Sequence, residues 1–334
     1  VSAFEKGIRK GEFDVNSTRK RVVVTGGSGL LGRFVVAELE SDHEITVIDT
    51  TTGERNRDIG PVDIRDLGRL TEIFAGHDAV IHLAALDSIV DAPPESFFDV
   101  NGRGTWSVLE AARVSGVETV VHCSSASVYG LDHTNPETRT TYLPIDEDHP
   151  IHPIAPYALA KRFGEIVGKS YAEKYGMNVC GMRLTGVVVP EIVDLLVEIL
   201  EENADTWTNA PTQLPADAEF VTNYNVMRHR DYIDARDAAR LLRAAINRRN
   251  TGYAVYNGAA PDTLVPYPTL SVVQRIEGAL PEIRDGGRFR ENVRASAITS
   301  ARAEAELGWK ARYLWCDASA ERWASGSARA KAGG

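Results

Sequence analysis

Arg21-Val22-Val23-Val24-Thr25-Gly26-Gly27-Ser28-Gly29-Leu30-Leu31-Gly32-Arg33-Phe34-Val35-Val36-Ala37-Glu38-Leu39 joins a β-branched apolar run to a glycine turn and then to an amphipathic stretch. Val22 to Thr25 reads as a strand and Leu30 to Leu39 as the helix after it. Between them, Gly26, Gly29 and Gly32 form a G-x-x-G-x-x-G turn. Glycines let a backbone turn tightly and approach a pyrophosphate, whose charge then sits against the unpaired amides of the helix N-terminus. The next apolar run, Ile45 to Ile48, ends at Asp49, 17 residues after Gly32 and 23 after Gly26. These spacings bracket the ~20 residues expected before an acid that binds an adenosine ribose. A carboxylate at that place accepts bonds from both ribose hydroxyls and repels a 2′-phosphate, so NAD is expected rather than NADP. Arg33 is the opposing clue, because it stands just past the last glycine and can reach a 2′-phosphate.

Outward from this unit, strand and helix keep alternating. Leu67 to Phe74 reads as a helix, Ala79 to Leu83 as a strand, Glu95 to Val114 as a helix and Thr119 to Cys123 as a strand. Tyr157 to Tyr175 is the next helix, and Val179 to Leu184 the strand after it. Apolar runs without alternation suit strands covered on both faces. The fold class is therefore α/β, a doubly wound parallel sheet of the Rossmann type. Beyond Pro190 the regularity loosens and prolines punctuate shorter elements, which places a smaller mixed C-terminal lobe there. The expected division is an N-terminal extension over 1–20, the dinucleotide-binding domain over 21–189 and mainly a substrate lobe over 190–334. A helix near Ala235 to Ile246 is a segment that can return to the sheet.

With 334 residues, 43% hydrophobic and 25% charged, the composition is that of a globular protein. The 37 basic and 47 acidic residues give a net charge of −10, a repulsive field for phosphate polymers and anionic membranes. Neither nucleic acid nor a membrane is an expected partner. Cys123, Cys180 and Cys316 stand far apart, which suits a reducing, cytoplasmic compartment and offers no zinc knuckle. No cluster of His, Cys and carboxylates has metal-ligand spacing, so no metal is expected.

Tyr157 and Lys161 lie four residues apart at the start of a helix and share one face. A phenol with a pKa near ~10 is a poor acid–base catalyst at neutral pH, and a neighbouring ammonium favours its phenolate. Ser124-Ser125-Ala126-Ser127-Val128-Tyr129-Gly130 places hydroxyls where the strand Thr119 to Cys123 ends. In doubly wound sheets, ligands gather outside the carboxyl ends of strands.

These residues, with Val62-Asp63-Ile64-Arg65-Asp66, His82-Leu83-Ala84-Ala85, Asn101-Gly102-Arg103-Gly104-Thr105, Arg230-Asp231-Tyr232-Ile233 and Leu307-Gly308-Trp309, strongly resemble the extended short-chain dehydrogenase/reductase family. The resemblance is greatest to its sugar-nucleotide epimerase/dehydratase branch and runs from Arg21 to Trp309. It implies that Tyr157 is the acid–base residue, that Lys161 binds the nicotinamide ribose and that Ser125 orients the reacting oxygen. It further implies cofactor contacts from Gly26, Gly29, Leu30, Leu31, Gly32, Asp49, Asp63, Ile64, Leu83, Ala84 and Ala85. Asn101 would tie the central helix to the sheet. Substrate contacts would come from Asp87, Ser88, Ser125, Ala126, Ser127, Tyr157 and Arg230. A helix pair including Glu95 to Val114 and Tyr157 to Tyr175 would form the surface of a homodimer.

Departures from the family pattern narrow the reaction. Dehydratases of this family carry Thr-Asp-Glu where this chain has Ser125-Ala126-Ser127, and eliminating water needs the acid and base that are missing here. Reversible hydride transfer at a carbinol needs only Tyr157, Lys161, Ser125 and NAD. The leading expectation is an NAD-dependent epimerase acting on a sugar or sugar nucleotide through a keto intermediate. An NAD-dependent dehydrogenase of a free sugar, sugar acid or polyol is the alternative, and a non-enzymatic dinucleotide-sensing protein a remote one. Gly186 stands where the family usually has a diphosphate-binding asparagine, and Asp87 where a lysine is frequent; both argue against a diphosphate, whereas Arg230 argues for one. His82 and His122 read as packed strand residues, His229 as a loop residue that is either solvated or, beside Arg230, in touch with substrate, and Asp63 alternatively as a helix cap.

Overall fold

The computed structural model describes residues 19–51, 58–131, 138–191, 229–248, 251–265 and 267–314. The expected extension up to residue 18, Cys316, Trp315, Trp323 and most of the chain between 190 and 229 lie outside these residues.

The run that opens the fold becomes β1 (Arg21–Thr25). Side chains alternate across a strand, and here Val22 and Val24 enter one apolar cluster while Val23 enters another. Both faces of β1 are therefore buried, which is why its sequence shows no polar alternation. Seven parallel strands form the central sheet, in the order β3 (Asp58–Ile59), β2 (Glu44–Ile48), β1, β4 (Ala79–His82), β5 (Thr119–Ser125), β7 (Asn178–Leu184) and β10 (Tyr253–Gly258). On one face α1 (Gly32–Leu39) and α6 (Ala235–Ile246) contribute Val35, Leu39, Leu241 and Ile246. On the other, α2 (Leu67–Phe74), α4 (Gly104–Ser115) and α5 (Pro156–Tyr175) contribute Leu70, Phe74, Leu109 and Val167. The strand order reverses between β1 and β4, and the crevice outside their carboxyl ends is where such sheets bind ligands.

The helix expected over 95–114 is three pieces: α3 (Pro94–Phe97), a π-helical segment (Phe98–Arg103) and α4. Asp66, not Asp63, caps α2, accepting a bond from the Arg69 amide at 3.0 Å.

A smaller layer covers the end of the sheet. β6 (Tyr142–Leu143) runs parallel to β11 (Glu282–Ile283), and β8 (Gly186–Val188) to β9 (Tyr232–Asp234). Around them, Val128, Tyr129, Leu143 and Ile145 pack with Val273 of α7 (Thr269–Glu277), Phe289 of α8 (Gly286–Glu291) and Ile298. The chain crosses the 189/190 division both ways, since 126–131 and 143–145 line this layer and β10 completes the sheet. After α9 (Ala301–Leu307), Trp309 packs back on the main cluster and donates its indole N–H to the Asp237 carbonyl at 3.1 Å. Among the described residues, no helix is long and apolar enough to cross a membrane.

Candidate active site

The glycine turn is a cradle made of backbone. Gly26 sits at φ +71°, where a Cβ would lie 2.6 Å from the Ala84 nitrogen. Its amide donates to the Ile48 carbonyl at 2.8 Å, which fastens the turn to the end of β2. At Gly32 a Cβ would overlap the Gly26 carbonyl and the Gly27 backbone, so the helix packs on the turn with no room for a side chain. The turn extends through Leu30 and Leu31, and α1 begins only at Gly32, two residues later than expected. Asp49, just past β2, accepts the Ser28 amide at 3.1 Å and the Thr50 amide at 2.8 Å. Its carboxylate thus lies against the turn. Arg33 is paired with Glu191 at 2.8 Å and stacks over Phe34. This set of open turn, acid and close alanine fits a dinucleotide.

The wall opposite the turn is fixed by a directed chain of hydrogen bonds that the sequence did not announce. The Thr105 hydroxyl gives its hydrogen to the Asn101 carbonyl at 2.6 Å, so it can only accept from His82 Nε2, 3.0 Å away. His82 Nδ1 then accepts the Thr25 hydroxyl at 2.7 Å, and the Thr25 oxygen receives the Ala84 amide at 3.3 Å. This requires a neutral imidazole. Burial, assisted by the charge of Lys161, pushes the His82 pKa well below its ordinary value. Asn101, in the π-helical segment, then grips Leu86 from both sides: it accepts the Leu86 amide at 2.7 Å and donates to its carbonyl at 2.9 Å. Leu83, Ala84 and Ala85 line the wall between these anchors, with the amides of Leu83 and Ala84 both donating to the Thr25 carbonyl.

Beyond this wall, Ser125, Tyr157 and Lys161 come together at the end of β5. The strand extends past Cys123 because its pairing with β7 continues through Ser124 opposite Arg183 and Ser125 opposite Leu184. Ser125 accepts the Ser127 amide at 3.1 Å, and its hydroxyl lies close enough to the Tyr157 phenol to favour the phenolate. Lys161 places its Nζ 5.5 Å from the centre of the Tyr157 ring and donates to the Cys123 carbonyl at 2.8 Å. Burial pushes the phenol pKa up, the carboxylate of Asp87 adds to that rise, and the nearby Ser125 hydroxyl opposes it. Burial also lowers the pKa of Lys161, while Asp87 helps to keep it charged.

Other expected site residues fall around this centre. Asp63 is held by Arg65, whose Nε and one terminal nitrogen bond its two oxygens while the other terminal nitrogen bonds Asp99, and the Arg65 bonds keep the Asp63 pKa below the usual carboxylate range. Ile64 is buried against Gly104. Asp87 and Ser88 are exposed on the loop after Leu86, where Asp87 accepts from the Ser88 hydroxyl and the Ile89 amide. Ala126 and Ser127 are buried in the 3₁₀ turn after β5. Arg230 is buried in the smaller layer, and burial lowers its pKa. His229 is not a solvated loop residue: its Nε2 lies 2.8 Å from Glu277 Oε1 inside that layer.

Behind Ser125 stands a buried ion pair that sequence reading missed. Arg183 of β7 meets Glu165 of α5 through two bonds of 2.8 and 2.9 Å and also donates to the Tyr129 hydroxyl at 3.0 Å. Glu165 accepts the Ser124 hydroxyl at 2.7 Å and Arg162 at 2.8 Å. Burial raises the Glu165 pKa, but Arg183, Ser124 and Arg162 together hold it below its ordinary value. The charges are far apart in sequence and belong to a helix and a strand, so no local spacing reveals them.

Compared with known proteins, residues 22–258 match the NAD dependent epimerase/dehydratase family. The chain belongs to that family. It is therefore an NAD-dependent enzyme, built on the parallel sheet described above. An L-arabinose 1-dehydrogenase (NAD(P)(+)) of Haloferax volcanii is 34% identical over 204 residues, 60% of this chain and 79% of the relative. A UDP-glucose 4-epimerase of Streptomyces lividans is 28% identical over 316 residues, 86% of this chain and 91% of the relative. Among solved structures, a UDP-galactose 4-epimerase superposes with a TM-score of 0.60 at 26% identity, covering 90% of this chain and 96% of the other. The relatives matched by sequence thus include an epimerase and a sugar dehydrogenase, and the structure matched by shape is that of an epimerase.

Proposed function

We propose that the protein interconverts epimers of a sugar or sugar nucleotide, oxidising one carbinol carbon to a ketone and reducing it again from the other face. The meeting of Ser125, Tyr157 and Lys161 at the carboxyl end of β5 carries this reading. Gly26, Gly29, Leu30, Leu31 and Gly32 would hold the cofactor's pyrophosphate, Asp49 its adenosine ribose, and Asp63 and Ile64 its adenine. Leu83, Ala84 and Ala85 would line its path, and NAD supplies a hydride acceptor when bound. Tyr157 takes the proton from the substrate hydroxyl at its Oη and returns it later. Ser125 orients the reacting oxygen, and Lys161 places a positive charge beside the phenol and bonds the nicotinamide ribose. Ser88, Ala126 and Ser127 would contact the sugar, and Arg230 an anionic group attached to it. Neither Ala126 nor Ser127 offers a carboxyl group, so elimination of water is not part of this reading.

Asp87 favours a second reading, a dehydrogenase of a free sugar or sugar acid, because its charge acts on Tyr157 and Lys161 and would repel a diphosphate nearby. The arabinose dehydrogenase relative supports the same alternative. Stoichiometry separates the two. Purified protein is incubated with a panel of sugars and nucleotide sugars while NADH absorbance and product stereochemistry are followed together. Inverted product without net NADH supports the epimerase; NADH formed mole for mole with product replaces it with the dehydrogenase. Free UDP should block turnover of a nucleotide-sugar enzyme and leave a free-sugar enzyme nearly untouched.

We further infer a homodimer, supported by Phe98, Trp106, Leu159 and Ile166, which leave apolar surface exposed on the α4 and α5 side. A cytoplasmic location is supported by the free thiols of Cys123 and Cys180.

A further inference from the structure

Arg230 is the one non-glycine residue among those described whose backbone lies in the left-handed region, with φ 67°. For a long side chain that conformation is costly, and it persists only where the surroundings over-determine it. Both neighbours of Arg230 are anchored in the interior. On one side, His229 Nε2 lies 2.8 Å from Glu277 Oε1, and each side chain is 2% exposed. Glu277, the last residue of α7, is itself fixed by Thr140, which donates its hydroxyl at 2.6 Å and its amide at 3.0 Å. Burial pushes the Glu277 carboxyl up, but His229 and Thr140 bring it down to about 2, so the pair holds a true carboxylate. On the other side, Asp231 accepts the Ser296 hydroxyl at 2.6 Å and the Ala297 amide at 2.8 Å. The Arg230 carbonyl accepts the Leu264 amide at 3.0 Å.

These contacts differ in what they determine. The Asp231 bonds and the Leu264 bond fix where β9 begins, and they would survive if the peptide before Arg230 turned over. Among the described residues, it is the His229 side chain that ties down that preceding residue. Releasing it lets the backbone at Arg230 relax towards an ordinary conformation, and the guanidinium moves with it. We propose that His229, gripped by Glu277 and Thr140, is a positioning residue that holds Arg230 in its left-handed conformation and so sets the affinity of the site for an anionic group on the sugar substrate. The proposal rests on the reading of Arg230 as the residue that meets that group.

Calorimetry on the full chain saturated with NAD tests this, with UDP and D-glucuronate as the two anionic probes. Arg230→Ala should weaken whichever probe binds by about 10- to 100-fold, the worth of a charge-assisted hydrogen bond. His229→Ala should weaken it about tenfold, the scale of a released strained residue. The double variant should bind no worse than Arg230→Ala alone, and His229→Gln, which keeps a donor for Glu277, should bind within about twofold of the unaltered protein. Affinity for NAD should not change in any of them. Glu277→Gln repeats the measurement from the other partner if His229→Ala does not fold. Unaltered probe affinity in Arg230→Ala overturns the reading of Arg230 and the clasp with it. A loss in Arg230→Ala beside no loss in His229→Ala overturns the clasp alone, as do additive losses in the double variant or a His229→Gln protein that folds and still binds as poorly as His229→Ala.

Discussion

The two ends of the cleft are built on different principles. At the cofactor end, the glycine turn is held largely through backbone groups, the Gly26 amide on the Ile48 carbonyl, the Ser28 amide on Asp49, and amides of the loop after β4 on the Thr25 carbonyl, while His82 and Asn101 brace the wall behind it. The partners there are ends of adjacent strands, so the parallel sheet brings them together as a matter of course. At the substrate end, buried side chains distant in sequence hold the walls, namely Arg183 with Glu165, His229 with Glu277 and Asp231 with Ser296. The contrast teaches where specificity can vary. A cradle of main chain accommodates one shape of ligand, while walls held by pairs of side chains can be rebuilt for another sugar without disturbing it.

The largest expected effect lies at the seam between the two ends. Tyr157→Phe keeps the aromatic ring and removes the proton-carrying oxygen, so turnover should fall by about 10²- to 10⁴-fold while NAD affinity stays within a small factor. Steady-state kinetics beside fluorescence titration of NAD checks both halves. Near-normal turnover would break the assignment of the phenol. Next in size, Glu165→Ala leaves Arg183 charged and buried without its partner. Such losses run to about 3–5 kcal/mol, and chemical denaturation should show one of that order. A destabilisation below 1 kcal/mol, on the order of a surface ion pair, would erase the contrast drawn above.

Two smaller effects sharpen the comparison. Asp49→Asn removes the charge that faces a 2′-phosphate, and calorimetry should show the preference for NAD over NADP narrowing with little change in folding stability. Equal affinity for both cofactors in the unaltered protein would instead point to Arg33. Asp87→Asn acts on proton chemistry. Its carboxylate raises the Tyr157 pKa, so removing it should lower that pKa and move the acid limb of the pH–rate profile to lower pH. A profile that stays in place, or moves to higher pH, would detach Asp87 from the catalytic tyrosine.

How much of this was legible in the sequence follows the same division. Val22 to Gly32 announced strand, turn and cradle because each depends on neighbours within a few residues. Asp49 and the Tyr157–Lys161 pair followed from fixed spacings along regular elements. The helix boundary slipped at Leu30 because the Phe34 amide bonds the Leu31 carbonyl instead of that of Leu30, which interrupts the i→i−4 ladder ahead of Gly32. His229 was read as solvated because its partner, Glu277, lies 48 residues further on, and nothing local marks a loop histidine as buried. His82 was recognised as packed, but its role as a link between Thr25 and Thr105 depends on three elements meeting at one point. Hydrophobic periodicity reports which face of an element is covered and is silent about which polar side chain meets which.

The π-helical segment over Phe98–Arg103 has a bearing on how tolerant the gene is to change. A π turn holds one more residue than an α turn, and here the wider coil brings Asn101 onto Leu86. Most single-codon deletions in a long helix rotate one half against the other and destroy its packing. A deletion within 98–103 could instead be absorbed by tightening the coil to ordinary α geometry, leaving α4 on its neighbours while Asn101 loses its grip. The coil is thus a place where the reading frame can lose three nucleotides and yield a folded protein whose cleft wall has come loose, a variant separating folding from catalysis more cleanly than most point substitutions.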